Sequence, residues 1–472
     1  MKYHFIGICG AGMSAVAKLL LEKGHSVTGS DEGFYPPISD YLVTNNISCL
    51  TPFKKENIPN DVDYIVIGKH AKLTPQENEE VKEAFCYPEK VISFPEALEA
   101  LTKERENIVV AGSYGKSTCT SLLSHILEKS GVDTGYFIGA IPLTPTSNAH
   151  LGTAMEFILE GDEYPSSNWD TSSKFLHYHP KHTLITALAH DHVNVYPTHE
   201  DYILPFIQLI KNTSEDGVLV LCKDDVAISQ KCIPTLSRKV VTYGLGADAD
   251  YQAINITYDE TTTFEITKSG EHLMKLSTSL LGAHNVQNTL GVVALLLETK
   301  KVSIENIILA VASFKGIVRR LDKKSYNTSI PIYEGFGSSF DKAASAIEAM
   351  TLHFPKRKLL IIFEPHTFSW RNRQALHWYD NVFDAAEHVY VYKPPLHGSN
   401  SHDQLTHEEI IDRIRLSGAN VSGFDSPDKG ISLVEGQLTD EHVILILSSG
   451  GMDGLIPLLV STVEKQFPTL NT

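Results

Sequence analysis

The chain has 472 residues, with 42% hydrophobic and 21% charged; such a length and balance suggest a globular protein of roughly three ordinary domains. With 57 acidic against 40 basic residues the formal charge is −17, which excludes a generally basic nucleic-acid binder but leaves room for a local anion site. Six scattered cysteines, at 9, 49, 86, 119, 222 and 232, form no C-x-x-C pair, so no zinc ribbon or redox pair is expected and the compartment implied is reducing.

In chain order, MKYHFIGICG enters a strand and a glycine turn at once, unlike a secretory leader. No apolar run reaches membrane-spanning length, so a cytoplasmic protein with no membrane partner is expected. KYHFIGI reads as a strand, MSAVAKLLLEKG as a helix stopped at Gly24, HSVTGSD as the next strand and DYIVIG (63–68) as a later one. This spacing gives a parallel sheet. In GICGAGMSA (7–15), Gly10-x-Gly12-x-x-Ala15 with Asp31 closing the second strand fits a dinucleotide fingerprint. Its glycines would let backbone N–H groups approach a diphosphate at the positive end of a helix. On these residues alone a nicotinamide dinucleotide, another diphosphate nucleotide and a ligand-free tight turn all stay open.

The second block opens with the strand NIVVAG (107–112), the loop AGSYGKST (111–118) and the helix STCTSLLSHILEKSG. Val110 stands where a generic phosphate loop has its first glycine. Gly112 and Gly115 would let backbone N–H groups wrap an anion. Lys116 would reach the β- and γ-phosphates, and the Ser117 hydroxyl would hold Mg²⁺. Asp162 and Glu163 follow the apolar FIL. A carboxylate there could complete the metal's shell, although an exposed acidic turn is the commoner case. HTLITAL (182–188) is a buried strand whose carboxyl end carries His190, Asp191 and His192, where α/β sites form. GVLVLC (217–222) is another strand. Residues 238–281 alternate polar and apolar, which suggests antiparallel strands in a side sheet, and LLGAHNVQNTLGVVALLLETK returns to helix. A third block from about 323 carries the strands KLLIIFEP, EHVYVY and HVILILSSGG. The expected fold is α/β. Three consecutive Rossmann-like, parallel-sheet domains span 1–105, 106–322 and 323–472, the central one of P-loop ATPase type.

Together these motifs resemble the ATP-dependent Mur ligases over the whole chain. GSYGKST matches that family's shorter loop, Gly-Thr-x-Gly-Lys-Thr/Ser, which accounts for Val110. Glu160-Gly161-Asp162-Glu163 stands at its Glu-Ala-Asp-Glu motif, GAHNVQN (282–288) at its Gly-x-His-Asn-x-x-Asn motif, and Arg319-Arg320 at its Arg-Arg. Within the family, GHSVTGSDEGFYPPIS (24–39), GYFIGAIP and GDEYPSSNWDTSSKFLHYHP (161–180) look more like the murein peptide ligase branch than the L-alanine ligase branch. The first would join UDP-N-acetylmuramate to L-alanyl-γ-D-glutamyl-meso-diaminopimelate, the second to L-alanine. There are departures. Ala187-Leu188-Ala189 replaces Asn-Leu-Glu, EGFGSSFD (334–341) replaces Asp-Asp-Phe-Ala-His-His-Pro-Thr, and Tyr114 stands where His is common. They leave open a degenerate, non-catalytic UDP-sugar-binding protein.

The resemblance implies an ADP-forming amide ligase with ATP and Mg²⁺ as cofactors, small molecules as substrates, and a monomer or weak dimer. Gly112, Ser113, Tyr114, Gly115, Lys116, Ser117, Thr118, His284, Asn285 and Asn288 would bind the nucleotide. Ser117 and Glu163 would hold one metal ion and His192 a second. Lys116, Glu163, His192 and Arg320 would be catalytic. Gly10, Ala11, Gly12, Met13, Ser14 and Asp31 would bind the UDP moiety, with Arg371 and Arg373 near the amine's carboxylate.

Overall fold

The computed structural model describes residues 1–34, 38–145, 147–192, 195–394 and 404–469. The first sheet consists of β1 (Lys2–Ile6), β2 (Ser26–Ser30), β3 (Ser48–Leu50), β4 (Tyr64–Ile67) and β5 (Val91–Ser93), in the order β3-β2-β1-β4-β5. All four neighbouring pairs among its described residues are parallel, as crossover connections require. The order reverses between β1 and β4, so a crevice opens at their carboxyl ends. The glycine turn after β1 lies there and leads into the helix Ala11–Glu22.

The second sheet has ten strands. They are β6 (Glu106–Ala111), β7 (Gly135–Phe137), β8 (Ala149–His150), β9 (Glu156–Gly161), β10 (His182–Ile185), β11 (Leu219–Cys222), β12 (Val241–Gly244), β13 (Tyr251–Tyr258), β14 (Thr262–Lys268) and β15 (Glu271–Thr278). Their order is β15-β14-β13-β12-β11-β10-β6-β9-β7-β8. β6 is central, parallel to β9 on one side and β10 on the other. The apolar FIL run before Asp162 lies in β9. Two expectations are corrected here. The Thr- and Tyr-rich strands are no side sheet, because they continue the edge at β12. The HTLITAL strand also stops at Ile185, with the bond from the Thr186 N–H to the Ala111 carbonyl (3.0 Å) as the last rung of its ladder with β6.

The third sheet contains β16 (Arg320–Lys323), β17 (Ile332–Gly335), β18 (Lys358–Phe363), β19 (Ala386–Tyr392), β20 (Val421–Phe424) and β21 (His442–Leu447). Its order is β16-β17-β21-β18-β19-β20. β16 pairs antiparallel and the rest parallel. All six residues of β21 are buried, with apolar clusters on both faces of the sheet. Each buried Val, Ile or Leu there contributes roughly 1.5–3 kcal/mol.

The chain folds into two compact units: Met1–Asn255 with Phe264–Ser277 and Gln287–Ile317, and Ile256–Thr263 with Thr278–Val286 and Val318–Thr472. The first unit holds the first sheet and most of the second; the other holds the third.

Candidate active site

The loop after β6 is shaped by two glycines. Gly112 has φ +139°, and a Cβ there would meet Thr186 Oγ1 at 2.2 Å; Gly115 has φ +81°, and a Cβ there would meet Asn288 Oδ1 at 2.2 Å. Neither position admits another residue without strain. Gly115 caps the helix Lys116–Lys129, so the loop ends at the positive pole of a helix. The loop is tied to the end of β10 by main-chain groups. Ser113 N–H donates to the Ala187 carbonyl (2.8 Å), and Ala189 N–H donates to Ser113 Oγ (3.0 Å). Thr186 Oγ1 also donates to the Tyr114 carbonyl. The departures at 187 and 189 therefore leave these loop contacts intact, since residues 187 and 189 take part in them through backbone atoms alone.

Lys116 bends back over this loop. Its Nζ donates to the Gly112 carbonyl (2.5 Å) and to Glu163 Oε2 (2.8 Å). Burial opposes the Lys116 charge, but Glu163 beside it holds the ammonium above its ordinary range. Burial likewise opposes ionisation of Glu163, whose side chain is fully buried. Lys116 and a bond from His192 nevertheless hold its carboxyl below the usual carboxylate range. Glu163 Oε1 also accepts from Tyr202 Oη (3.1 Å) and lies 3.3 Å from His192 Nε2. His192 sits at φ +55°, a costly conformation for a residue with a Cβ, and its ring meets Tyr164 edge-on at 4.5 Å.

Ser117 and Glu163, expected to share one metal ion, have different partners in the structure. Ser117 Oγ donates to Glu160 Oε1 (2.7 Å), and Glu160 Oε2 accepts from Gly139 N–H (2.7 Å). Burial pushes the Glu160 carboxyl up against these bonds. Glu160 is the last-but-one residue of β9, directly beside β6, which is why it reaches the loop and Glu163 turns to Lys116 instead. Among the described residues no cluster of three His, Cys, Asp or Glu side chains is set to hold a metal. The hydroxyl–carboxylate pair Ser117–Glu160 does suit Mg²⁺, which takes few protein oxygens and keeps water and phosphate oxygens for the rest.

A cavity of about 610 Å³ joins this loop to the glycine turn after β1. One end is lined by Gly10, Gly12, Met13 and Asp31, the other by Lys116, Glu160 and Asp162. Asp31 Oδ2 accepts the Cys9 N–H (2.8 Å) and so fixes the turn. Gly12 is needed for close approach, since a Cβ there would meet Phe94 at 3.3 Å. Ala11 is exposed at the helix start. Ser14 is buried inside the helix and donates to the Ala11 carbonyl (3.1 Å), so its side chain does not line the cavity. Thr118 lies one residue past Ser117 on the first turn of its helix.

Sequence reasoning missed several wall residues. Lys69, His70, Lys72 and Leu73 follow β4, and Lys174 follows the acidic motif. Lys174 pairs with Asp162 at 2.5 Å and lies over the Phe94 ring at 5.2 Å. Lys69 lies 5.8 Å from the Tyr164 ring centroid; burial and the neighbouring Lys174 lower its pKa. GKHAK directly after a buried strand was the available signal.

The remaining expected residues belong to the other unit, except Asn288, which abuts Gly115. Asn285 donates to the Leu281 carbonyl (2.8 Å). Burial, with Arg320 and His353 adding repulsion, lowers His284 to about 4. The Arg320 guanidinium lies over the Phe336 ring at 5.7 Å. Arg371 is buried, with its side chain on Gln404 Oε1 (3.1 Å). Arg373 forms a forked pair with Glu409 (2.7 and 3.2 Å). In EGFGSSFD, Glu334 is buried and paired with Arg319 (3.0 Å) and Lys324 (2.7 Å).

Comparison with known proteins places this geometry. Residues 110–296 match the Mur ligase middle domain and residues 2–106 the Mur ligase family, catalytic domain. The UDP-N-acetylmuramate–L-alanine ligase of Geobacter sp. (strain M21) is 29% identical over 454 residues, 96% of this chain and 95% of the relative. That of Syntrophotalea carbinolica is 33% identical over 389 residues, 82% and 81%. The crystal structure of UDP-N-acetylmuramate-alanine ligase from Thermotoga maritima superposes with a TM-score of 0.77 at 21% identity, covering 99% of this chain and 100% of that one. A murein peptide ligase from Psychrobacter arcticus gives 0.66 at 23%, covering 98% of both. The expected nearness to the murein peptide ligase branch is thus not confirmed, because both sequence relatives above are UDP-N-acetylmuramate–L-alanine ligases and the alanine ligase structure superposes better than the murein peptide ligase one. The chain belongs to the Mur ligase family, as an ATP-dependent, ADP-forming amide ligase.

Proposed function

We propose that the protein joins the carboxylate of UDP-N-acetylmuramate to the amino group of L-alanine. The observation that carries this reading is the continuous cavity from the glycine turn to Lys116. It suits a long substrate with a diphosphate at one end and a carboxylate at the other. We assign UDP-sugar binding to residues 1–105, ATP to 106–322 and the amine to 323–472.

A carboxylate is a poor electrophile, since oxide would have to leave. Attack of a carboxylate oxygen on the γ-phosphorus breaks the bond to the β-phosphate, releases ADP and gives an acyl phosphate. The neutral amine then attacks the acyl carbon, loses a proton, and phosphate departs. Charge crowds at the transferred phosphoryl group, so placement of cations does most of the work. Lys116 would exchange Glu163 and its loop carbonyls for phosphate oxygens. Ser117 and Glu160 would hold Mg²⁺, which offsets phosphate charge when bound. His192, oriented by Glu163, faces the same end.

A second reading keeps the tripeptide as the amine. The stretches 24–39 and 161–180 favour it, as does the likeness to a Neisseria murein peptide ligase structure, 26% identical over 67% of this chain with a TM-score of 0.62. Phosphate release from ATP and UDP-N-acetylmuramate, measured with L-alanine and with L-alanyl-γ-D-glutamyl-meso-diaminopimelate, decides. Turnover with L-alanine is expected. Turnover only with the tripeptide would select the second reading, and no release with either would sink both in favour of a non-catalytic binder.

A further inference from the structure

The segment Pro165–Ser173, between the acidic motif and Lys174, has no part in the chemistry above. It is a self-supporting loop. Pro165 and Ser173 form a bridge, the Ser166 N–H donates to the Ser172 carbonyl (2.9 Å), and Ser167 Oγ accepts from the N–H groups of Trp169 (3.2 Å) and Asp170 (2.8 Å). It projects from the second sheet's side onto the segment after β4. There Asn168 Nδ2 donates to two main-chain carbonyls, His70 (2.9 Å) and Leu73 (2.8 Å), and Trp169 meets Phe85 edge-on at 5.5 Å.

Those carbonyls belong to the wall of the substrate cavity. Lys69, His70, Lys72 and Leu73 line it. Leu73 also presses on the glycine turn itself: a Cβ on Gly7, at φ +84°, would meet Leu73 Cδ1 at 2.7 Å. Asn168, Leu73 and Gly7 thus form a short mechanical chain from the ATP-side domain to the diphosphate turn. The other end of the same strap is bonded to the acidic motif, through Lys174 N–H to the Tyr164 carbonyl (3.0 Å) and the Lys174–Asp162 pair.

We propose that Pro165–Ser173 is a substrate-positioning strap, with Asn168 as the positioning residue that sets the lysine-bearing wall for the UDP end. The inference rests on the UDP-sugar reading of the cavity. Asn168 touches no ligand in this scheme and acts by fixing the carbonyls of residues 70 and 73. Removing its donor should loosen the UDP end and leave the phosphate loop as it is.

The test is calorimetric binding of UDP and, separately, of ADP with Mg²⁺ to the full chain and to Asn168→Ala and Asn168→Asp; the second variant keeps the shape and removes the donor. UDP affinity is expected to fall about tenfold in both variants, the scale of one to two lost hydrogen bonds, with ADP affinity within about twofold of wild type. The retained ADP affinity also reports an intact fold. Unchanged UDP affinity in the variants would overturn the strap's role, and so would a parallel loss of UDP and ADP binding. Failure of the unaltered chain to bind UDP would instead remove the functional reading, and the strap with it.

Discussion

Lys116 and Glu163 are each other's principal counter-charges in a buried setting, and this makes them costly to separate. Breaking a buried pair by removing one partner typically costs about 3–5 kcal/mol. Lys116→Met is therefore expected to abolish phosphate release and to lower stability in denaturant by an amount of that order. Lys116→Met with Glu163→Gln should recover much of the stability and none of the activity. The pair also has a pH signature. Glu163 is depressed in the folded chain, so its contribution is present above the ordinary carboxylate range and is lost as pH falls through its lowered folded value. Lys116 is raised, so its share is present below the ordinary lysine value and is lost as pH rises through its raised folded value. Thermal unfolding of wild type should show an acid-side loss of stability that is reduced in the double variant.

The loop and helix around Gly115 form the next level. Gly115 combines positive φ with contact to Asn288 on the helix Ala283–Thr299. Gly115→Ala should weaken ADP binding by at least about tenfold, since left-handed strain of roughly 1–3 kcal/mol falls on the binding loop itself; titration calorimetry checks it. At this level the sequence was a good guide to the loop and a poor one to its partners. Glycine spacing and a following helix pattern identify the loop directly, because those glycines have a local conformational cause. The carboxylate facing Ser117 could not be chosen the same way. Glu160 and Glu163 differ only in which of them ends a strand beside β6, and that pairing is long-range. The wall residues Lys69 and Lys72 were missed for a related reason: a lysine after a strand is usually a solvated one, and only the neighbouring domain turns it into cavity lining. The outline of three successive parallel-sheet blocks was visible because fully buried strands leave continuous apolar runs, whereas the short strands β3, β7 and β8 leave none.

Over the molecule as a whole, a strongly acidic protein would, on the proposed reading, take up a strongly anionic substrate at a cavity whose lining sets four lysines beside Asp31, Glu32, Glu160 and Asp162. With a formal charge of −17, distant charges would repel UDP-N-acetylmuramate while Lys69, Lys72, Lys116 and Lys174 would attract it at close range. Exposed charges are screened over about 8–10 Å at moderate salt, and the four lysines share one cavity. Raising NaCl from 50 to 500 mM should increase KM for UDP-N-acetylmuramate several-fold while leaving KM for L-alanine, a net-neutral amine, within about twofold. Steady-state kinetics at the two salt concentrations check this. Equal changes in both constants would mean that the cavity lysines do not govern capture of the nucleotide sugar.

The strap at Pro165–Ser173 bears on how such a chain can be recombined. Asn168 bonds the Leu73 carbonyl and Leu73 packs on Gly7 although the three are far apart in the sequence, so on the proposed reading the residues that position the UDP end are not all contained in 1–105. A chimera that imports residues 1–105 from a relative would pair a foreign wall with the native strap, and is expected to lose grip on the nucleotide sugar even when every contacting residue is present. Importing 165–173 together with 1–105 should restore it, so the unit of inheritance for substrate recognition is a discontinuous one.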